Sequence, residues 1–88
     1  MKVETINNNL YIYHEENADT IDPFRIYAYE ISFGTDIHGG RDYYTVTLLV
    51  NPTPGQRLRY EYQFEKAQEA REAKALIYDH LLPFILKS

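Results

Sequence analysis

The sequence predicts an α+β fold: a four- to five-stranded antiparallel sheet, connected as a meander, with one C-terminal α-helix packed on one face. Three stretches carry the prediction. Residues 57–64 alternate, with Leu58, Tyr60, Tyr62 and Phe64 on one side and Arg57, Arg59, Glu61 and Gln63 on the other, which is the period of a half-buried strand. Residues 43–50 are the most β-prone of the chain, and the intervening Asn51-Pro52-Thr53-Pro54-Gly55-Gln56 is a tight turn. From Glu65 onward the letters change to Glu, Lys, Gln, Ala, Arg and Leu, which lose little side-chain freedom in a helix.

In chain order, Val3–Ile6 and Leu10–Glu15 are short strands. They are separated by Asn7-Asn8-Asn9, residues that tolerate the left-handed dihedrals of a hairpin turn. In the second strand Leu10, Ile12 and His14 share one face and Tyr11, Tyr13 and Glu15 the other. The acidic stretch from Glu16 to Pro23 is expected to be a loop. Phe24–Phe33 is a third strand with apolar residues on both parities: either both faces are partly covered, or a bulge near Tyr29-Glu30 switches the parity. A long glycine-containing connection, residues 34–42, follows. In the fourth strand Tyr44, Val46, Leu48 and Val50 face one way, with Tyr43, Thr45 and Thr47 opposite.

In the helix, Ala67, Ala70, Ala73, Ile77, Leu81 and Phe84 step by three or four and fall on one face. The alanine half suits close approach to a sheet, and the second half carries the bulky residues. Pro83 lacks an N–H and crowds the preceding turn, so the regular helix is expected to stop or kink near Leu82. The tail Phe84-Ile85-Leu86 then packs back on the core or stays exposed as an interaction surface, packing being the expectation.

Size and composition bound the function. Eighty-eight residues make one domain, residues 1–88, able to bury one modest core. The chain has no cysteine, so disulfides and thiolate metal sites are excluded. No apolar run spans a membrane, and Met1–Thr5 lacks the apolar core of a signal peptide, so a cytoplasmic protein is expected. The net charge of −4 is confined to the N-terminal third, where Lys2 stands against Glu4, Glu15, Glu16, Asp19 and Asp22. A duplex-DNA binder carries a basic stripe instead.

Catalytic and metal chemistry find no constellation. Asp36, His38, Arg41 and Asp42, with Gly39-Gly40, offer an imidazole and carboxylates in a glycine-rich loop, but in no metal or catalytic spacing. The acidic run from Glu15 to Asp22 lacks the turn glycine and closing glutamate of a calcium loop. The serines are only Ser32 and Ser88, and no phosphate loop is present. The expectation is a protein that is not an enzyme and uses no cofactor or metal.

Nine tyrosines are too many to be all core, since each buried hydroxyl needs a partner. Tyr11, Tyr13 and Tyr43 oppose the core parity and are expected to form an open aromatic face. With Glu15, Glu16, Asp19 and Asp22 of the acidic loop, and Arg57 and Arg59, they make the expected partner-binding residues. The partner expected is another protein. Two alternatives stand: stacking of single-stranded nucleic acid on the same face with Arg25, Arg57 and Arg59, against which the negative charge argues, and self-association as a homodimer through a sheet edge. The size, acidic balance and strand-then-helix layout resemble the small accessory proteins of phages and mobile elements. Some of these block host defence enzymes by occupying a surface, so the resemblance implies an inhibitor or regulator.

Overall fold

The computed structural model describes residues 1–35, 40 and 42–87, and the side chains of all of these except 35 and 85–87. Among the described residues six strands and one α-helix follow one another: β1 (Lys2–Ile6), β2 (Asn9–His14), β3 (Asn17–Ile21), β4 (Ile26–Thr35), β5 (Asp42–Val50), β6 (Leu58–Phe64) and α1 (Ala67–Lys87). The fold is α+β, as expected, but the strands form two three-stranded antiparallel sheets, β1-β2-β3 and β4-β5-β6, in place of one four- to five-stranded sheet.

The first sheet is two successive hairpins. Asn7 and Asn8 have φ of 52° and 65°, the left-handed pair that a type I′ turn requires, and Ile6 faces Asn9 across it. The next turn, at Glu15-Glu16, converts the expected loop into a strand: Asn17–Ile21 pairs with β2 from His14↔Asn17 to Leu10↔Ile21. Its residues have weak β-propensity. Tertiary contacts override that preference, because Ile21 is buried in the core and Asp19 meets Tyr62 of the other sheet. Glu15 holds φ 54°, a region costly for a residue with a Cβ. Glu15→Gly is therefore expected to stabilise the fold by about 0.5–1 kcal/mol, read as a rise in the urea midpoint; an unchanged or lower midpoint would show that Glu15 contacts offset the strain.

Asp22 begins a 3₁₀ turn, Pro23–Arg25, its Oδ1 accepting from Phe24 N–H at 3.0 Å. The ambiguous parity of residues 24–33 has its cause at Tyr27 rather than at Tyr29-Glu30. Ile26 pairs with Val50 and Ala28 with Leu49, so Tyr27 is the extra residue of a bulge. Beyond it Tyr29, Ile31 and Phe33 share the inner face. Between β5 and β6, Pro54 and Gly55, the latter at φ 85°, occupy the centre of a turn closed by Gln56 N–H donating to Thr53 O at 3.0 Å.

The core is made by three elements' inner faces: Leu10, Ile12 and Ile21 with Val3 from the first sheet, Val46, Leu48, Val50, Tyr62 and Phe64 from the second, and Ala70, Ala73, Ile77 and Leu81 from α1. The outer face of the second sheet is polar. Thr45 and Thr47 are buried there on the central strand, flanked in register by Ser32 and Gln63 and by Glu30 and Glu61. The helix does not stop at Leu82 but runs through Pro83 to Lys87. Pro83 is exposed and close to the helix end, and the residue whose carbonyl loses its helical donor, Asp79, is also exposed, so the break falls on the solvent side and costs little. Phe84 is buried, its ring edge-on to Phe24 with centroids 5.2 Å apart. Ile85 and Leu86 have side chains outside those described.

Candidate functional site

The expected partner-binding residues are spread over the molecule. Tyr11 and Tyr13 lie on the outer face of the first sheet, in rows with Glu4 and Thr20 and with Lys2 and Ala18. Tyr43 lies on the outer face of the second sheet, where its ring rests over Gly34. A Cβ built there would come within 2.6 Å of the ring, so the absent side chain makes room for the tyrosine. Arg59 shares that face but stands at the opposite end of the sheet, in register with Leu49, and lies 3.5 Å from Glu61. Arg57 is exposed just before β6. The tyrosines therefore do not make one aromatic face, and the arginines do not stand beside Tyr11 and Tyr13.

The acidic residues are also divided. Glu15 and Glu16 are the exposed turn between β2 and β3, and Asp22 caps the 3₁₀ turn. Asp19 points inward, where its Oδ2 accepts a 2.8 Å hydrogen bond from the Tyr62 hydroxyl. Burial, and then this bond, push the Tyr62 phenol far above its usual titration range. Next to this link, His14 Nε2 donates to Gln63 O at 2.8 Å, and its ring packs on Phe64 at 4.5 Å between centroids. Asp19 and His14 thus join the two sheets, a structural task.

Of the expected loop site, Asp36, His38 and Arg41 lie outside the described residues. Asp42 opens β5 and lines an open cleft with His14, Glu15, Tyr43, Glu65 and Glu69. Among the described residues no three His, Cys, Asp or Glu side chains gather in a way that could hold a metal ion. No described helix is long and apolar enough to cross a membrane.

A second surface lies along β4, and sequence reasoning missed it. Among the described residues the three most exposed aromatic side chains all belong to this region: Phe24 at 56%, Tyr27 at 49% and Phe33 at 61%. An apolar hollow lined by Phe24, Tyr27, Tyr29, Leu81 and Phe84 sits at the start of β4. A shallower trough lined by Tyr29, Ile31, Arg71, Lys74, Ala75 and Tyr78 continues along it. Tyr29 lines both, so the two form one groove between the strand and α1. Lys74 Nζ stands 5.4 Å from the centre of the Tyr29 ring, and Tyr78 lies 6.0 Å away on the helix. Burial, and then Tyr78, raise the Tyr29 titration above its ordinary value. At the far end the Phe33 ring packs against Tyr44 at 5.3 Å. The signal in the sequence was the run of apolar residues on both parities from Phe24 to Phe33.

No protein-family model matches the chain, and no curated protein or solved structure matches it significantly. The functional reading rests on the groove.

Proposed function

We propose that the protein is a non-enzymatic binding module that works by protein–protein contact, with the β4 groove as its contact surface. The carrying observation is a concentration of exposed aromatic side chains beside an aromatic trough: Tyr27 and Phe33 on the ten-residue edge strand β4, and Phe24 in the 3₁₀ turn just before it. Large exposed apolar patches on small proteins mark interaction sites, and tyrosine and phenylalanine are enriched where partners dock. An inhibitor or regulator that occludes a host protein's surface, as the accessory-protein resemblance implies, would act from such a groove.

Affinity capture from cell lysate with the tagged chain, run in parallel with Phe33→Ser and Tyr13→Ser, tests this. The expected result is a stoichiometric protein partner that Phe33→Ser loses and Tyr13→Ser keeps, with both variants melting close to the parent. Clear turnover of a small molecule with no protein partner would overturn the reading.

A further inference from the structure

We propose that the groove takes an extended, acidic segment of the partner, which adds to the free edge of β4 as a further strand. This deepens the reading above and rests on it. In the sheet order β4-β5-β6, β4 is terminal, and no described strand pairs with its outer edge. An edge strand presents outward N–H and C=O groups at every second residue, and folded proteins commonly blunt such edges with lysine, proline or short length. β4 uses none of these three, and its one departure from a regular edge is the bulge at Tyr27, near its start. It is ten residues long, holds neither lysine nor proline, and carries Glu30 as its one charged residue. The opposite edge of the same sheet is treated differently: at β6 the Gln63 carbonyl is engaged by His14.

Charge indicates what fits. The helix sorts its ionic residues by flank. Arg71 and Lys74 line the trough beside β4, whereas Glu69 and Glu72 line a hollow with His14 on the other flank. The groove is thus basic in a chain of net charge −4. Arg71 Nη2 donates to Gln68 Oε1 at 3.1 Å, which leaves other guanidinium donors for a carboxylate. A strand laid along β4 places alternate side chains in the groove. One of them meets Arg71 and Lys74 near Ile31, and another reaches the apolar hollow near Tyr27, about 13 Å away at ~3.3 Å per residue. The segment recognised therefore carries an acidic residue and a bulky apolar residue four positions apart. A second copy of the chain fits less well, because antiparallel pairing of two β4 edges about Ile31 brings Arg71 and Lys74 of both helices together.

The test is selection from a displayed random twelve-residue peptide library against the full chain, followed by fluorescence anisotropy of the enriched peptides at low and high salt. The expected peptides are acidic, with the acid and apolar residue four apart. Their binding weakens at least ~tenfold in the Arg71→Glu/Lys74→Glu variant and on raising salt, and it slows amide exchange along β4. The Arg71→Gln/Lys74→Gln variant, which introduces no repulsion, is expected to lie in between and serves if the reversal fails to fold. Neutral or basic peptides, or acidic ones indifferent to both variants, overturn the acidic-strand inference; if Phe33→Ser still abolishes their binding, the groove stands as a protein-binding surface. No enrichment, with dimerisation in sedimentation that Phe33→Ser removes, overturns it in favour of a second copy. No enrichment and no dependence on Phe33 overturns both.

Discussion

Ile77→Ala is expected to remove about 2–5 kcal/mol of folding stability, the range for deleting a buried branched side chain whose site cannot fully collapse. Ile77 is 1% exposed at the middle of α1, within the cluster where both sheets meet the helix. A domain of this size has a total stability on the order of 5–15 kcal/mol, so the loss is a large share of it. The expected fall in melting temperature exceeds about 10 °C. Ile77→Val, which removes one methylene, is expected to cost only about 0.5–1.5 kcal/mol. Urea denaturation followed by far-ultraviolet circular dichroism measures both. A loss below about 1 kcal/mol for the alanine variant would mean that α1 is held mainly by its flanks.

That residue was readable in advance, and the reason is geometric. The helix signal is local: Ala70, Ala73, Ile77, Leu81 and Phe84 recur at three and four, and all five are buried. The alternation of β6 is equally local, with Tyr62 and Phe64 buried between exposed Arg59, Glu61 and Gln63. The type I′ turn at Asn7-Asn8 depends on two residues with an intrinsic tolerance for positive φ.

What escaped the sequence depends on distant partners. β3 has little strand propensity of its own and forms because Ile21 and Asp19 find the core and Tyr62. The division into two sheets is decided where the chain turns at Asp22–Arg25, a matter of tertiary packing that alternation within single strands does not encode. The expected aromatic face is divided for the same reason. Parity correctly sets Tyr11, Tyr13 and Tyr43 outward, but outward on two different sheets is not one face. The bulge at Tyr27 breaks the alternation of β4 near its start, and a uniform alternation cannot express that.

Tyr62→Phe is expected to cost about 1–2 kcal/mol at neutral pH and to change the pH dependence of stability. The ring and its packing stay, while the hydroxyl that donates to Asp19 at 2.8 Å is lost. Hydrogen bonds to charged acceptors contribute about 1.5–3 kcal/mol, and partial solvent access to Asp19 sets the expectation near the lower end. The pH dependence follows from the protonated phenol that the fold holds. An unfolded tyrosine releases its proton near 10, whereas burial and the Asp19 bond keep the folded one protonated well above that. Below pH ~10 both states carry the proton and the contribution is constant. Above it the unfolded state binds fewer protons than the folded state, so stability falls by about 1.4 kcal/mol per pH unit from this group. Tyr29, also raised by burial, acts in the same direction in both proteins and cancels in the difference. The phenylalanine variant lacks the slope, so its deficit should shrink as pH rises from about 10 to 11.5. Urea midpoints at neutral pH and at three points above 9 measure this, with a Tyr62→Phe/Asp19→Ala double-mutant cycle isolating the pair. Parallel stability curves through pH ~11 would show that the Tyr62 hydroxyl reaches solvent in the folded protein, and that the joint between the two sheets rests on His14 and the apolar core rather than on this bond.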